Sequence, residues 1–180
     1  MKNLNIIFNI KISKINFKEF QNNIYNSFFE KDKNRDYFLN TLWYLEELIE
    51  LLLELYNLLN LNILKENNFK ENNFKNLIIE LSDTLAWIFS ILNLNKIKIN
   101  EIYIFDSSLD NLKFFIYNLL YSNLYLIKAI KKKDLKNIKN QAYLIIFYII
   151  KISHFSKIEV ELLFNRYKVC PKCNNNKCIC

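Results

Sequence analysis

At 180 residues, with 52% of them hydrophobic and a formal net charge of +7, the chain is long enough for one domain with a substantial core and too apolar to be mainly disordered. It has no glycine, one proline and an abundance of Asn, Lys, Ile, Tyr and Phe, which points to a biased base composition in the coding sequence. The positive charge is therefore read first as favoured Lys codons and only second as affinity for nucleic acid.

The first fifteen residues scatter Lys and Asn and lack the apolar core of a secretory signal. The longest purely apolar run, 143–150, falls far short of the roughly 20 residues that a membrane span needs. A cytoplasmic protein with no membrane partner is expected. Residues 3–15 alternate Phe8, Ile10 and Ile12 with polar neighbours, the period of a short strand. From Phe17 the period becomes helical: Phe17, Phe20, Ile24 and Phe28 recur at three- and four-residue steps and predict a helix over 17–31. Asp32 to Asp36 reads as a charged turn. Residues 37–60 predict a long helix, apolar over most of its circumference, and 62–73 an Asn/Lys/Glu-rich loop. A helix over 77–94 follows, then a shorter helix or irregular link over 97–105, with Asp106-Ser107-Ser108 as linker and N-cap. Helices over 109–130 and 135–153 pair about the turn at Lys131-Lys132-Lys133, and a last short helix over 158–167 leads into a cysteine tail.

The fold expected is all-α, an antiparallel helix bundle. The second helix pair can be laid on the first, Lys136-Asn137-Ile138 on Lys75-Asn76-Leu77 and Ile158-x-Val160 on Ile97-x-Ile99. At that offset Glu80 falls on Gln141 and Asp83 on Leu144, so a second copy would have lost its acids; chance similarity of biased apolar helices accounts for the match nearly as well.

Seven acids lie on two stretches that hold no Lys or Arg: Asp36, Glu46, Glu47, Glu50 and Glu54 within 36–64, and Glu80 and Asp83 within 76–95. Glu47-x-x-Glu50 and Glu80-x-x-Asp83 each place two carboxylates one helical turn apart. Among the leucines that flank them, unpaired carboxylates are costly. A divalent metal held between two helices relieves the repulsion, and hard cations such as Mg²⁺ favour carboxylate oxygens while bridging to substrate phosphates.

The run Thr41-Leu42-Trp43-Tyr44-Leu45-Glu46-Glu47-Leu48-Ile49-Glu50, followed by Glu80-Leu81-Ser82-Asp83-Thr84-Leu85-Ala86-Trp87, resembles the MazG-type, all-α nucleoside triphosphate pyrophosphohydrolases. With the lead-in Phe20-Gln21 and Asp32-x-x-Arg35, the resemblance covers about 17–105. It implies a bundle of the MazG and dimeric-dUTPase type and hydrolysis of a nucleoside triphosphate, NTP or dNTP, to the monophosphate and pyrophosphate. Glu47, Glu50, Glu80 and Asp83 would hold Mg²⁺, Glu46 and Glu47 would be catalytic, and Arg35 and Trp43 would bind substrate. A homo-oligomer, a dimer, is also implied. The chain departs from the pattern at Asp36 and Ser82, in the 29 residues between Glu50 and Glu80, and in the extra helix pair. Its organisation then reads as a catalytic helical unit over 1–105, an additional helix pair over 106–167 and a Cys₄ tail over 168–180. Trp43, Tyr44 and Trp87 could stack on a base, though aromatics at helical spacing more often fill a core. His154 suits a surface or capping role.

Cys170-Pro171-Lys172-Cys173 and Cys178-Ile179-Cys180 form a C-x₂-C-x₄-C-x-C tail. Four soft ligands in eleven residues suit a tetrahedral, structural Zn²⁺ ahead of an iron–sulfur cluster. Two other functions stand beside the leading one. One is a non-catalytic metal- and nucleotide-binding regulator whose zinc tail touches nucleic acid or a partner; the other is a phosphoribosyl-ATP pyrophosphohydrolase.

Overall fold

A computed structural model describes residues 11–60, 72–106 and 111–179. In chain order the elements are β1 (Lys11–Asn16), α1 (Lys18–Lys33), α2 (Tyr37–Asn60), α3 (Asn72–Leu94), β2 (Glu101–Asp106), α4 (Leu112–Lys132), α5 (Leu135–Phe155) and α6 (Val160–Asn165). The fold is mostly helical, as the periodicity predicts, but it is not purely so. β1 and β2 form a small antiparallel sheet in which Ile15 pairs with Ile102 and Lys14 with Tyr103. Of the helix or irregular link expected over 97–105, residues 97–100 are irregular, while 101–105 are corrected to strand. Ile102 and Ile104 are buried and alternate with half-exposed Glu101 and exposed Tyr103, a period of two that a helix cannot use. An ion pair of 2.8 Å between Lys14 and Glu101 lies on the outer face.

α3 is the hub. It packs against α1, α2, α5 and α6, while α4 pairs with α5 and closes back on α2. A single apolar cluster runs through these helices, from Phe20 and Ile24 of α1 through Leu51, Leu85 and Phe89 to Ile146 and Leu163. The stretch Phe74–Leu94 is long and apolar enough to cross a membrane, yet most of it is buried inside the protein, which is what a central core helix requires. Polar bonds fix the layers. Tyr44 of α2 donates to the Asn123 side chain of α4 in the buried interior. Gln21 of α1 donates to the Asn93 side chain (2.9 Å) and the Ile97 carbonyl (2.8 Å) and accepts from the Ile99 N–H (3.1 Å), tying α1 to the end of α3 and the approach to β2.

The helix ends follow capping chemistry. Asp36 accepts from the Phe38 N–H at the start of α2. Asn111 caps α4 through the Lys113 N–H, so the cap lies beyond the expected Asp106-Ser107-Ser108, of which 107–108 are outside the described residues. The α4–α5 hairpin turns on two residues. Lys133 takes a left-handed conformation at φ 53°, and Asp134 caps α5 by accepting from the Asn137 N–H at 3.1 Å. In a chain without glycine, such corners fall to Lys96, Lys133, Lys157 and Asn174. The loop expected over 62–73 lies almost entirely outside the described residues.

Candidate functional site

α2 and α3 run antiparallel, and their register can be followed from one pair of residues to the next. Trp43 meets Trp87 edge-on at 5.7 Å between ring centroids. One turn further, the Thr84 hydroxyl donates to the Glu47 carbonyl at 3.3 Å. Beyond that, Glu50 faces Glu80, and one carboxylate oxygen from each of Glu47, Glu50 and Glu80 lies within 4.8 Å of the others. The helical spacing that puts two acids on one face of each helix thus brings three of the four expected metal ligands together, in a geometry open to a cation.

Electrostatics bear the mark of that crowding. Burial, and then the charges of Asp83 and Glu50, push the Glu47 carboxyl up to about 7, against a hydrogen bond from Trp87 that favours its charged form. Burial, then Glu50, Asp83 and Glu47, push Glu80 up to about 7 as well. One oxygen of Glu80, Oε2, is buried with no hydrogen-bond partner. A buried, unpartnered carboxylate oxygen beside two more carboxylates is what a cation would complete.

The fourth expected ligand, Asp83, is engaged elsewhere. Arg166 clamps it with two hydrogen bonds, Nε to Oδ1 at 2.6 Å and Nη2 to Oδ2 at 2.9 Å, and the Tyr167 hydroxyl donates to Oδ1 at 2.8 Å. No cation is near these acids in sequence, but in space Asp83 has one: Arg166 is 83 residues away along the chain and one hydrogen bond away in the fold. Burial and the Asp83 charge push the Tyr167 hydroxyl far above its ordinary range, so it remains a donor. Aromatic packing holds the clamp in place. Phe164 stacks on Phe20 at 4.8 Å and meets Phe17 edge-on at 5.2 Å, and Tyr167 lies edge-on to Phe28 at 5.8 Å.

Trp43, Trp87, Glu47, Glu50, Asp83, Arg166 and Tyr167 border one cleft of about 470 Å³, and Glu80 is not among the residues lining it. Its acidic side is Glu46, Glu47, Glu50 and Asp83. Glu46 is exposed where it lines the cleft. At the other end, Arg35 lies 4.5 Å from the Trp43 ring and 5.9 Å from that of Trp87, and its Nη1 donates to buried Asp32 at 3.0 Å. Burial raises the Asp32 carboxyl, while a hydrogen bond with Ser90 and the charge of Arg35 oppose the rise. Arg35 and Trp43, both expected to meet substrate, therefore stand together on the wall next to the carboxylates. Tyr44, by contrast, is core. Glu54 is a turn beyond the cleft, and Asp36 serves as a helix cap.

The cysteine tail forms the remaining wall, with Cys170, Pro171, Lys172 and Cys178 lining it. One sulfur from each of Cys170, Cys173 and Cys178 lies within 4.8 Å of the others, close enough to hold one metal ion, and thiolate donors are compatible with zinc. Cys180 is outside the described residues. The tail is tied to itself by the Cys170 N–H to the Asn175 carbonyl (2.9 Å) and the Asn174 N–H to the Cys170 carbonyl (2.8 Å). It is tied to α1 by the Cys178 N–H to the Ser27 carbonyl (3.0 Å) and the Ser27 hydroxyl to the Asn176 carbonyl (3.1 Å).

Arg166 and Tyr167 belong to no motif in the sequence, and the Asp32-x-x-Arg35 and Cys170-Pro171-Lys172-Cys173 motifs give Asp32 and Lys172 no role of their own. A signal was nevertheless present. Arg35 and Arg166 are the only arginines in the chain, Trp43 and Trp87 the only tryptophans and Pro171 the only proline, and all five border this cleft. In a chain whose basic residues are otherwise all lysine, residues that run against the compositional bias mark the place where their specific chemistry is needed. Compared with family models, with curated proteins and with solved structures, the chain finds no match in any of the three.

Proposed function

We propose that this chain hydrolyses a nucleoside triphosphate, NTP or dNTP, to the monophosphate and pyrophosphate with the help of Mg²⁺. The observation that carries the reading is the meeting of the Glu47, Glu50 and Glu80 carboxylates between facing helices, two of which, Glu47 and Glu50, line a cleft that also gathers two arginines and two tryptophans. Such hard oxygen donors fit Mg²⁺, which when bound supplies neutralisation of phosphate charge and a more acidic water. The chain's own groups divide the remaining work. Trp87 orients the Glu47 carboxylate through its indole N–H. Glu46, exposed where it lines the cleft, orients an incoming water. Arg35, laid over Trp43, offers a flat cationic surface for a base or a phosphate. The tail cysteines hold Zn²⁺ in a structural role.

The test is a pyrophosphate-release screen over the common NTPs and dNTPs and phosphoribosyl-ATP, with and without Mg²⁺. Pyrophosphate rather than single phosphate is expected from at least one of them, with Glu47→Gln slowing turnover by about 100-fold or more. No release across the panel, or a Glu47→Gln variant as active as wild type, refutes the reading. A second reading, a metal- and nucleotide-binding regulator without turnover, draws on the engagement of Asp83 by Arg166 and Tyr167 in place of a fourth ligand position. Tight, Mg²⁺-dependent nucleotide binding with no product would favour it. A homo-dimer belongs to the same proposal: Ile49, Leu53 and Tyr56 are exposed along α2 and would seat a second copy, which sedimentation equilibrium would detect.

A further inference from the structure

The tail and the acidic cluster read as two separate centres in the sequence, one structural and one reactive. In the fold they border one cleft, to which the tail brings one cation, Lys172, next to Arg166 of the segment before it. Arg166, Lys172 and Lys31 of α1 line the same cleft as Glu46, Glu47 and Glu50. The Arg166–Asp83 pair engages Nε and Nη2, which leaves Nη1 for a second acceptor. The guanidinium is half-buried, so an anion meeting it there is poorly screened. A cleft lined by both carboxylates and cationic guanidinium and ammonium groups fits a ligand that carries metal-bridged negative charge and projects further anionic oxygens away from the metal. A single phosphate or carboxylate would satisfy only one of these two sets of groups.

We infer that the cysteine tail, with a soft metal ion bound to Cys170, Cys173 and Cys178, is the anion-binding wall of the cleft, and that Arg166 and Lys172 take the polyphosphate end of the ligand. The inference rests on the metal–nucleotide reading of the acidic cluster but adds what that reading lacks, namely which residues hold the phosphates remote from the carboxylates. The geometry also explains why the tail is docked. The Cys178 N–H to Ser27 carbonyl bond and the Ser27 hydroxyl to Asn176 carbonyl bond fix it to α1, and the Phe164 and Tyr167 rings fix the segment that precedes it. These bonds hold the segment against the cleft, with Lys172 among the residues that line it. Asp83 acts here as a positioning residue: it holds the Arg166 fork in a single orientation, the arrangement that makes guanidinium recognition of phosphate directional.

The experiment is a binding titration of inorganic pyrophosphate, in the presence of Mg²⁺, into the full zinc-loaded chain, followed by the fluorescence of Trp43 and Trp87 and checked by calorimetry. Lys172 is exposed, so Lys172→Ala leaves the fold intact; it is expected to weaken pyrophosphate about fivefold, with the loss shrinking at high salt. Arg166→Lys keeps the charge but loses the fork and is expected to weaken binding about tenfold or more. Removing the tail metal with a chelator should reproduce the Arg166→Lys effect, and restoring Zn²⁺ should reverse it. Pyrophosphate binding that stays within twofold of wild type in Lys172→Ala and after metal removal overturns the inference, as does a wild-type chain that binds no pyrophosphate. The two proposals fail separately. Binding that depends on Lys172 without turnover of any nucleotide leaves the wall standing and removes the hydrolase; turnover whose KM ignores Lys172 and the tail metal does the reverse.

Discussion

Glu47 and Glu80 are the residues on which the metal reading can be tested without an assay for activity. Both carboxyls are pushed from about 4.5 in the unfolded chain to about 7 in the fold, so between those values the folded protein holds more protons than the unfolded one. The stability of the metal-free protein must then fall as pH rises through that window and level off above it. A divalent ion that binds only the folded cluster opposes the fall and competes with those protons. At 100 times its Kd such an ion adds about 2.7 kcal/mol, which for a chain of this length is a rise in Tm of about 5 to 10 °C. We expect a rise of that size from Mg²⁺ or Mn²⁺ at pH 8, and little at pH 5, in thermal melts monitored by circular dichroism. An equal rise at both pH values would show that the ion binds elsewhere. The same residues show what the sequence could and could not disclose. Spacing along a helix is local, so the convergence of Glu47, Glu50 and Glu80 was legible from the two i,i+3 patterns. The partner of Asp83 was not, because it comes from a segment 83 residues away whose only local feature is a short amphipathic turn.

Among the elements, the helices were the legible part because an apolar face repeats every three to four residues whether or not its partner is known. The long helix over 37–60 is found with the expected ends, and β1 occupies the later part of the stretch expected to be a strand. β2 was missed because six residues contain too few periods to separate Ile102 and Ile104 on one face from a turn of helix. The missing glycines leave their own trace at the α4–α5 hairpin, where Lys133 closes the helix in the left-handed region and its N–H reaches the Ala129 and Ile130 carbonyls. An L-residue in that conformation costs about 1 kcal/mol or more, which glycine does not incur, although glycine also loosens the unfolded chain. Lys133→Gly should raise stability by roughly 0.5 to 1 kcal/mol in urea unfolding. A loss of stability would mean that the lysine side chain contributes more at this corner than its backbone costs.

For the whole molecule, the two helix pairs look separable in sequence, and a division near residue 105 follows from the acids lying only in the first. In the fold a single apolar cluster passes from α1 through α3 to α5 and α6, Tyr44 reaches across to Asn123, and Arg166 reaches back to Asp83. Units that share a core and a buried hydrogen bond unfold together. Calorimetry should therefore give one transition whose van't Hoff and calorimetric enthalpies agree. Two transitions, one of them abolished by cutting the chain after 105, would show that the second pair is a body of its own.

The docking of the tail on α1 has a further consequence, which follows from thermodynamic reciprocity. The cysteines placed closely enough to hold a metal ion and the bonds to Ser27 occupy the same short segment, so a metal bound there and docking would each select one conformation of it. Whatever factor docking adds to metal affinity, the metal must add to docking. The isolated tail peptide should accordingly bind zinc more weakly than the full chain does, and the ratio of the two affinities measures how firmly the metal holds the tail shut against the body of the protein.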